Sequence, residues 1–116
     1  MGPLAEDIAY VRDRIVDAYK PEKIILFGSA ATGNAREDSD LDLLIIKRTR
    51  KPYFERVLEV CRAIHIWRST DIIVLTPEEF DRALADNRYL LTKEILPKGQ
   101  VIYERSRASG GRPRVA

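Results

Sequence analysis

The sequence predicts a small α/β (α+β) domain, a mixed β-sheet of about four strands with helices packed on it. Three observations lead there. Short apolar runs at 23–27 (KIILF), 41–46 (LDLLII) and 71–75 (DIIVL) are bounded by polar or glycine-containing stretches, as buried strands are. Segments with apolar residues at helical spacing separate and flank these runs. The chain has 116 residues, 45% of them hydrophobic, which suits one domain with a modest core.

Taken in order, residues 4–19 place Leu4, Ile8, Val11, Ile15 and Tyr19 at helical spacing, and Pro21 stops the helix. KIILF follows as the first strand and Gly28 ends it. Residues 29–40 are small and polar, room for a helical turn and a loop. LDLLII is the second strand. The loop Lys47-Arg48-Thr49-Arg50-Lys51 leads to a helix near 53–67, where Val57, Cys61, Ile64 and Trp67 share one face. DIIVL is the third strand. Thr76-Pro77-Glu78-Glu79 has the pattern of a helix start: a threonine N-cap, a proline in the first turn and a glutamate at the third position. A further helical run covers 87–96. Pro97-Lys98-Gly99 breaks it, and QVIYE adds a last strand. The domain is placed at 1–104. Residues 105–116 (RSRASGGRPRVA) read as a basic, disordered tail.

Charge and composition exclude several classes. The net charge is +2, but Arg105, Arg107, Arg112 and Arg114 all lie in the tail, leaving 16 basic against 18 acidic residues in 1–104. That is not the basic surface of a dedicated nucleic-acid binder. No run is long and apolar enough to span a membrane, and the first residues carry no apolar signal core. The single cysteine, Cys61, cannot pair within the chain, so the expected location is a reducing cytoplasm.

The segment from Gly28 to Leu43 (GSAATGNAREDSDLDL) carries the chemistry. Gly28 and Ser29 open a turn after a buried strand, where backbone N–H groups can meet a phosphate closely. Asp40 and Asp42 are two apart at a strand start, so both carboxylates face one way, while Leu41 and Leu43 point to the core. Like charges on one face repel unless a cation neutralises them. Mg²⁺ suits this role, because it takes carboxylates together with phosphate oxygens. Asp71 opens the third strand. If the first two strands are antiparallel and the second and third parallel, Gly28, Asp40, Asp42 and Asp71 meet at one end of the sheet.

On these residues the chain resembles the minimal nucleotidyltransferases of the DNA polymerase beta superfamily. The signature is Gly-Ser, then Asp-x-Asp, then a third carboxylate on a later strand. FGSAATGNAREDSDLDLLII matches it, DIIVLTPEEF is similar to the third-carboxylate strand, and EILPKGQVIYE is similar to the ending of small members. The resemblance covers most of 8–104 and implies the nucleotidyltransferase fold. It implies that Gly28 and Ser29 hold the triphosphate of ATP, the substrate. It also implies that Asp40, Asp42 and Asp71 hold Mg²⁺ as two ions, with Mn²⁺ as the alternative, and act as the catalytic residues. Many relatives carry an arginine where Thr32 stands. Larger relatives add a helical substrate domain, so here the acceptor surface is expected from a partner or a second copy. Standalone members often act as antitoxins by adenylylating a HEPN-type ribonuclease toxin, which makes that toxin the expected partner and a tyrosine hydroxyl the expected acceptor. All predicted helices are needed to cover so small a sheet, so the expected site is shallow, without a dedicated small-molecule pocket. The alternatives are a non-catalytic module that neutralises a partner by contact, and transfer to a small-molecule hydroxyl.

Each residue also has a plainer reading. Ser29 can be a helix N-cap, Ser39-Asp40 a polar turn and Asp71 a surface acid at a strand entry. His65, the one histidine, reads as structural or solvated, Cys61 and Trp67 as core, and the basic loop 47–51 as solvated.

Overall fold

A computed structural model describes residues 4–32, 36, 38–65, 68–105 and 113–114. The elements run α1 (Leu4–Tyr19), β1 (Lys23–Phe27), a 3₁₀ turn (Gly28–Ala31), β2 (Leu41–Ile46), α2 (Tyr53–Ala63), β3 (Thr70–Leu75) and α3 (Pro77–Ala85). A π-helical segment (Leu90–Ile95) follows and runs into α4 (Leu96–Lys98), then β4 (Gln100–Arg105) and β5 (Pro113–Arg114). The sheet order is β3-β2-β1-β4-β5. β1 pairs antiparallel with β2 and β4, β2 pairs parallel with β3, and β5 adds a two-residue antiparallel pairing to β4. The expected α+β architecture with a mixed sheet is therefore present. β4 extends through Arg105, and most of the tail lies outside the described residues.

Strand alternation sorts the core into two faces. On one, Ile24, Leu26, Leu41, Leu43, Ile45 and Val74 pack against Val11, Ile15 and Tyr19 of α1 and Val60 of α2. Val11, Ile15 and Tyr19 repeat every fourth residue, so one stripe of α1 meets the sheet. Burying each such side chain stabilises the fold by about 1.5–3 kcal/mol. On the other face, Ile25, Phe27, Leu44 and Ile46 meet Leu91 and Ile95 of the π-helical segment and Phe80, Ala83 and Leu84 of α3.

The α2 expectation needs correction. The helix ends at Ala63, and Cys61 is exposed rather than part of the core. The buried stripe is Arg56, Val60 and Ala63, with Val57 and Ile64 packed at its margin. A charged residue takes a core position because Arg56 is fully engaged. Its guanidinium donates to Lys51 O at 2.8 Å and Val74 O at 3.3 Å, and to both Glu79 carboxylate oxygens at 2.7 and 3.3 Å. Apolar periodicity cannot see such a partner on a different element. Trp67 lies outside the described residues.

Candidate active site

The strand pairing brings the predicted site residues to one end of the sheet. Phe27, the last residue of β1, stands opposite Asp42, and Asp42 stands beside Asp71 across the parallel β2–β3 pair. Asp42 alternates with Leu44, and Asp71 with Ile73, so both carboxylates leave the sheet on the face covered by α3 and the π-helical segment. Asp40 lies just before β2, exposed at the same end. The neighbouring Leu41 and Leu43 are almost fully buried on the opposite face, as the alternation requires.

Charge accumulates there. The Asp42 carboxyl is raised to about 6 from its ordinary 3.8, first by burial, then by hydrogen bonding to Asp71 and by the negative charges of Asp71 and Asp40. A cation between these groups would relieve all of those costs except the burial. Among the described residues no three acidic, cysteine or histidine side chains close around a point as a ready-made ion cage. The arrangement is an open carboxylate row. It suits Mg²⁺, which keeps several positions for water and substrate phosphate and takes only one or two carboxylates from the protein.

Gly28 sits against this row with φ +73°, a backbone conformation that favours glycine. A Cβ there would overlap Asp42 Oδ2 and stand 3.0 Å from Asp42 Cγ. The glycine therefore serves both the turn and the space of the carboxylate. Ser29 follows inside the 3₁₀ turn and is exposed. It is not an N-cap: the cap is Phe27, which makes no side-chain cap bond. The turn is closed by Thr32, whose N–H and hydroxyl both donate to Ser29 O at 3.2 Å. Gly33 lies outside the described residues.

Sequence reasoning missed the residues that hold this end together. Arg68, with its side chain 1% exposed, donates to Asp7 of α1 at 2.9 Å and to Ser39 O at 2.9 Å. It thus ties α1, the entry to β2 and the entry to β3 to one guanidinium, fixing Asp40 relative to Asp71. Leu41 N–H adds a bond to Ser69 O at 3.0 Å. Gln100 of β4 donates to Ala31 O at 2.8 Å, anchoring the turn from the other side. Nothing in local sequence marks Arg68 or Gln100, since their partners are distant in the chain.

A second departure concerns the cover of the sheet. The helices do not close over β2 and β3: a cleft of about 590 Å³ lies between the sheet, α3 and the π-helical segment. Its floor is Leu44, Ile73 and Leu75, on the face that carries Asp42 and Asp71. Gly28, Ser29, Asp40, Asp42 and Asp71 do not line it, so the cleft lies further along the strands than the carboxylates. The opening follows from the break after α3: a turn at Asp86–Asn87, with Asn87 at φ +54°, carries the chain away from the sheet before Leu91 returns to it.

His65 lies on the connection from α2 to β3 and is exposed. The basic loop leaves the far end of β2, where Lys47 donates to Tyr19 O at 2.7 Å, Arg48 reaches Glu78 at 3.4 Å and Lys51 reaches Glu59 at 2.9 Å. Among the described residues no helix is long and apolar enough to cross a membrane.

Comparison with known proteins identifies the family and the fold. Residues 12–108 match the model of the family described as Polymerase beta, Nucleotidyltransferase, a span that includes Gly28, Ser29, Asp40, Asp42 and Asp71. A Methanocaldococcus jannaschii protein named "Putative protein adenylyltransferase" is 32% identical over 84 residues, covering 71% of this chain and 78% of that protein. The crystal structure of a "putative nucleotidyltransferase" from Sulfolobus solfataricus shares the fold, with a TM-score of 0.58 over 96% of this chain and 95% of that one, at 22% identity. With its signature residues gathered at one sheet end and most of its length matched, this chain belongs to the polymerase beta nucleotidyltransferase family.

Proposed function

We propose that this protein transfers AMP from ATP, with Mg²⁺, to a protein hydroxyl, namely a tyrosine of a HEPN-type ribonuclease toxin that it thereby neutralises. The observation that carries the reading is the row Asp40, Asp42 and Asp71 set against a turn at Gly28 that leaves no room for a side chain. Close backbone approach at Gly28-Ser29 suits the triphosphate, and the open carboxylate row suits phosphate-bound cations. The relative named for protein adenylylation supports the choice of a protein acceptor.

Asp40, Asp42 and Asp71 would hold Mg²⁺, as two ions, or Mn²⁺ in its place. When bound, the metal supplies neutralisation of the triphosphate and of the charge that develops on the leaving pyrophosphate. The protein's own groups do the rest. Gly28 and Ser29 seat the phosphates at the end of β1. Asp42 on β2 and Asp40 just before it would hold the cations that neutralise the phosphates. Asp71 accepts the proton of the attacking hydroxyl. The bulky anion left on the acceptor would oppose RNA binding by like charge and by size.

The test incubates the chain with ATP, Mg²⁺ and the candidate toxin, and weighs both intact proteins by mass spectrometry. The expected result is an adenylyl adduct on the toxin that is lost with Asp40→Ala/Asp42→Ala. Full neutralisation of the toxin by that double variant, with no adduct on either protein, would replace the reading with binding by contact alone.

A further inference from the structure

Resting on the transferase reading above, we propose that the cleft between α3, the π-helical segment and strands β2–β3 is the acceptor subsite. We propose that it receives a tyrosyl side chain flanked by acidic residues. The sheet order places β1 and β3 on opposite sides of β2. The phosphate-seating turn ends β1, so the pyrophosphate leaves on the β1 side. In-line displacement requires the attacking oxygen on the opposite side, which is the β3 side. The cleft opens there, floored by Leu44 and Ile73.

The spacing selects the acceptor. Leu44 is two residues beyond Asp42, and Ile73 two beyond Asp71, so the cleft floor lies about 6.6 Å along the strands from the carboxylates. A phenol ring lying over Ile73, with Leu44 buried beneath it, spans that gap and delivers its hydroxyl to Asp71. A serine or threonine hydroxyl, one bond beyond its Cβ, would stop short. The step balances simply. The phenolic oxygen bonds to the α-phosphorus, the α–β bridging bond breaks, pyrophosphate leaves with the electron pair, and the phenol proton passes to Asp71.

The rim supplies the flanking preference. Arg82 and Arg88 line the cleft, are exposed, and make no side-chain ion pair or hydrogen bond among the described residues. Glu79 on the same wall is already engaged by Arg56, leaving Asp86 as the one acid opposing two free cations. Tyr89, 70% exposed, offers an aromatic face beside them. π-Helical geometry is itself frequent at functional sites, and here it forms one wall.

The experiment uses the full chain and the peptide acetyl-Glu-Asp-Tyr-Glu-Asp-amide, with serine and phenylalanine versions as controls. Methyl NMR follows peptide binding without nucleotide or metal, and mass spectrometry follows labelling with Mg²⁺ and ATP. The expected result is that the tyrosine and phenylalanine peptides shift the Leu44 and Ile73 methyls, and that only the tyrosine peptide is labelled. Ile73→Trp, and the exposed changes Arg82→Glu and Tyr89→Ala, should each slow labelling about tenfold at unchanged ATP affinity. Shifts of the same methyls by ATP, not peptide, would assign the cleft to the nucleobase and overturn the proposal. Equal labelling of the serine peptide, or unchanged labelling by all three variants, would overturn it too, as would a tyrosine peptide that neither seats nor is labelled. A peptide that seats on these methyls but is never labelled would sink the transfer reading and leave the subsite standing.

Discussion

Two residues at the site show opposite demands of folding and function. Gly28 is the cheaper case to test. Alanine there would force a side chain into φ +73° and onto the Asp42 carboxylate. The backbone term alone costs about 1–2 kcal/mol. Displacing Asp42 should affect chemistry more than folding. Gly28→Ala is expected to stay folded by circular dichroism and to lose at least about a hundredfold in transfer rate, since small misplacements at a reacting centre carry such penalties. Near wild-type turnover would mean that Asp42 can move without consequence. Asp42 itself is held against its own preference. Between its ordinary 3.8 and about 6 the folded protein keeps a proton that the unfolded chain has released. Stability from this group therefore falls as pH rises through that window, and the penalty is complete above it. Asp42→Asn is expected to melt higher than the parent at pH 7, to lose its advantage near pH 4, and to be inactive. Equal melting of the two at pH 7 would show that solvent screens the repulsion fully.

At the scale of elements, the β3–α3 junction is set by Glu79, which serves the cap of its own helix and an arginine of α2. Thr76 caps α3 by accepting from Glu79 N–H at 3.1 Å, and Glu79 returns the bond to Thr76 N–H at 2.9 Å. The same Glu79 holds the buried Arg56 of α2. Glu79→Ala would remove the reciprocal half of the capping box and leave the buried Arg56 guanidinium with only the Lys51 and Val74 carbonyls, an expected loss of about 2–3 kcal/mol after allowance for the solvent exposure of Glu79. The hydrogen bond from Arg56 holds the Glu79 carboxyl below its ordinary 4.5. Its contribution is thus present above that value and lost as pH falls through the lowered one. Urea unfolding of parent and variant checks both points: a difference at pH 7 that shrinks at low pH is expected. A constant difference across that range would leave packing, not charge, as the cause. The junction also bears on the site, because α3 forms one wall of the cleft above Ile73.

For the whole molecule, charge at one sheet end makes stability depend on what binds there. Mg²⁺ that binds only the folded state raises its stability by mass action. Protons compete for the same carboxylates. Millimolar Mg²⁺ is therefore expected to raise the melting temperature at pH 7 by several degrees, and to have little effect near pH 4, where Asp42 is protonated. A chelator should reverse the shift. An equal effect of Mg²⁺ on Asp40→Ala/Asp42→Ala would place the ion elsewhere.

How much of this was legible beforehand follows from the range of each interaction. The boundaries of α1, β1 and β2 could be read directly because apolar spacing and terminators act within a few residues. The α3 capping box could be read for the same reason. The site signature was equally local: glycine at a turn, and aspartates two apart on a strand. Cys61 was misplaced because its neighbours in the helix pattern are apolar, whereas the buried stripe runs through Arg56, whose partner Glu79 lies beyond β3. Arg68 and Gln100 were invisible because each bonds to groups far along the chain.

The sequence by itself determined α1, β1, β2 and the α3 cap, the alternation that separates Asp42 from Leu41 and Leu43, and the family to which the chain belongs. Only the tertiary structure decided the register that sets Asp42 beside Asp71 and opposite Phe27. It also decided the cleft further along the same strands. Register and cleft arise from packing between segments separated by tens of residues, where the free energy of the whole core, not the preference of any local stretch, selects the arrangement.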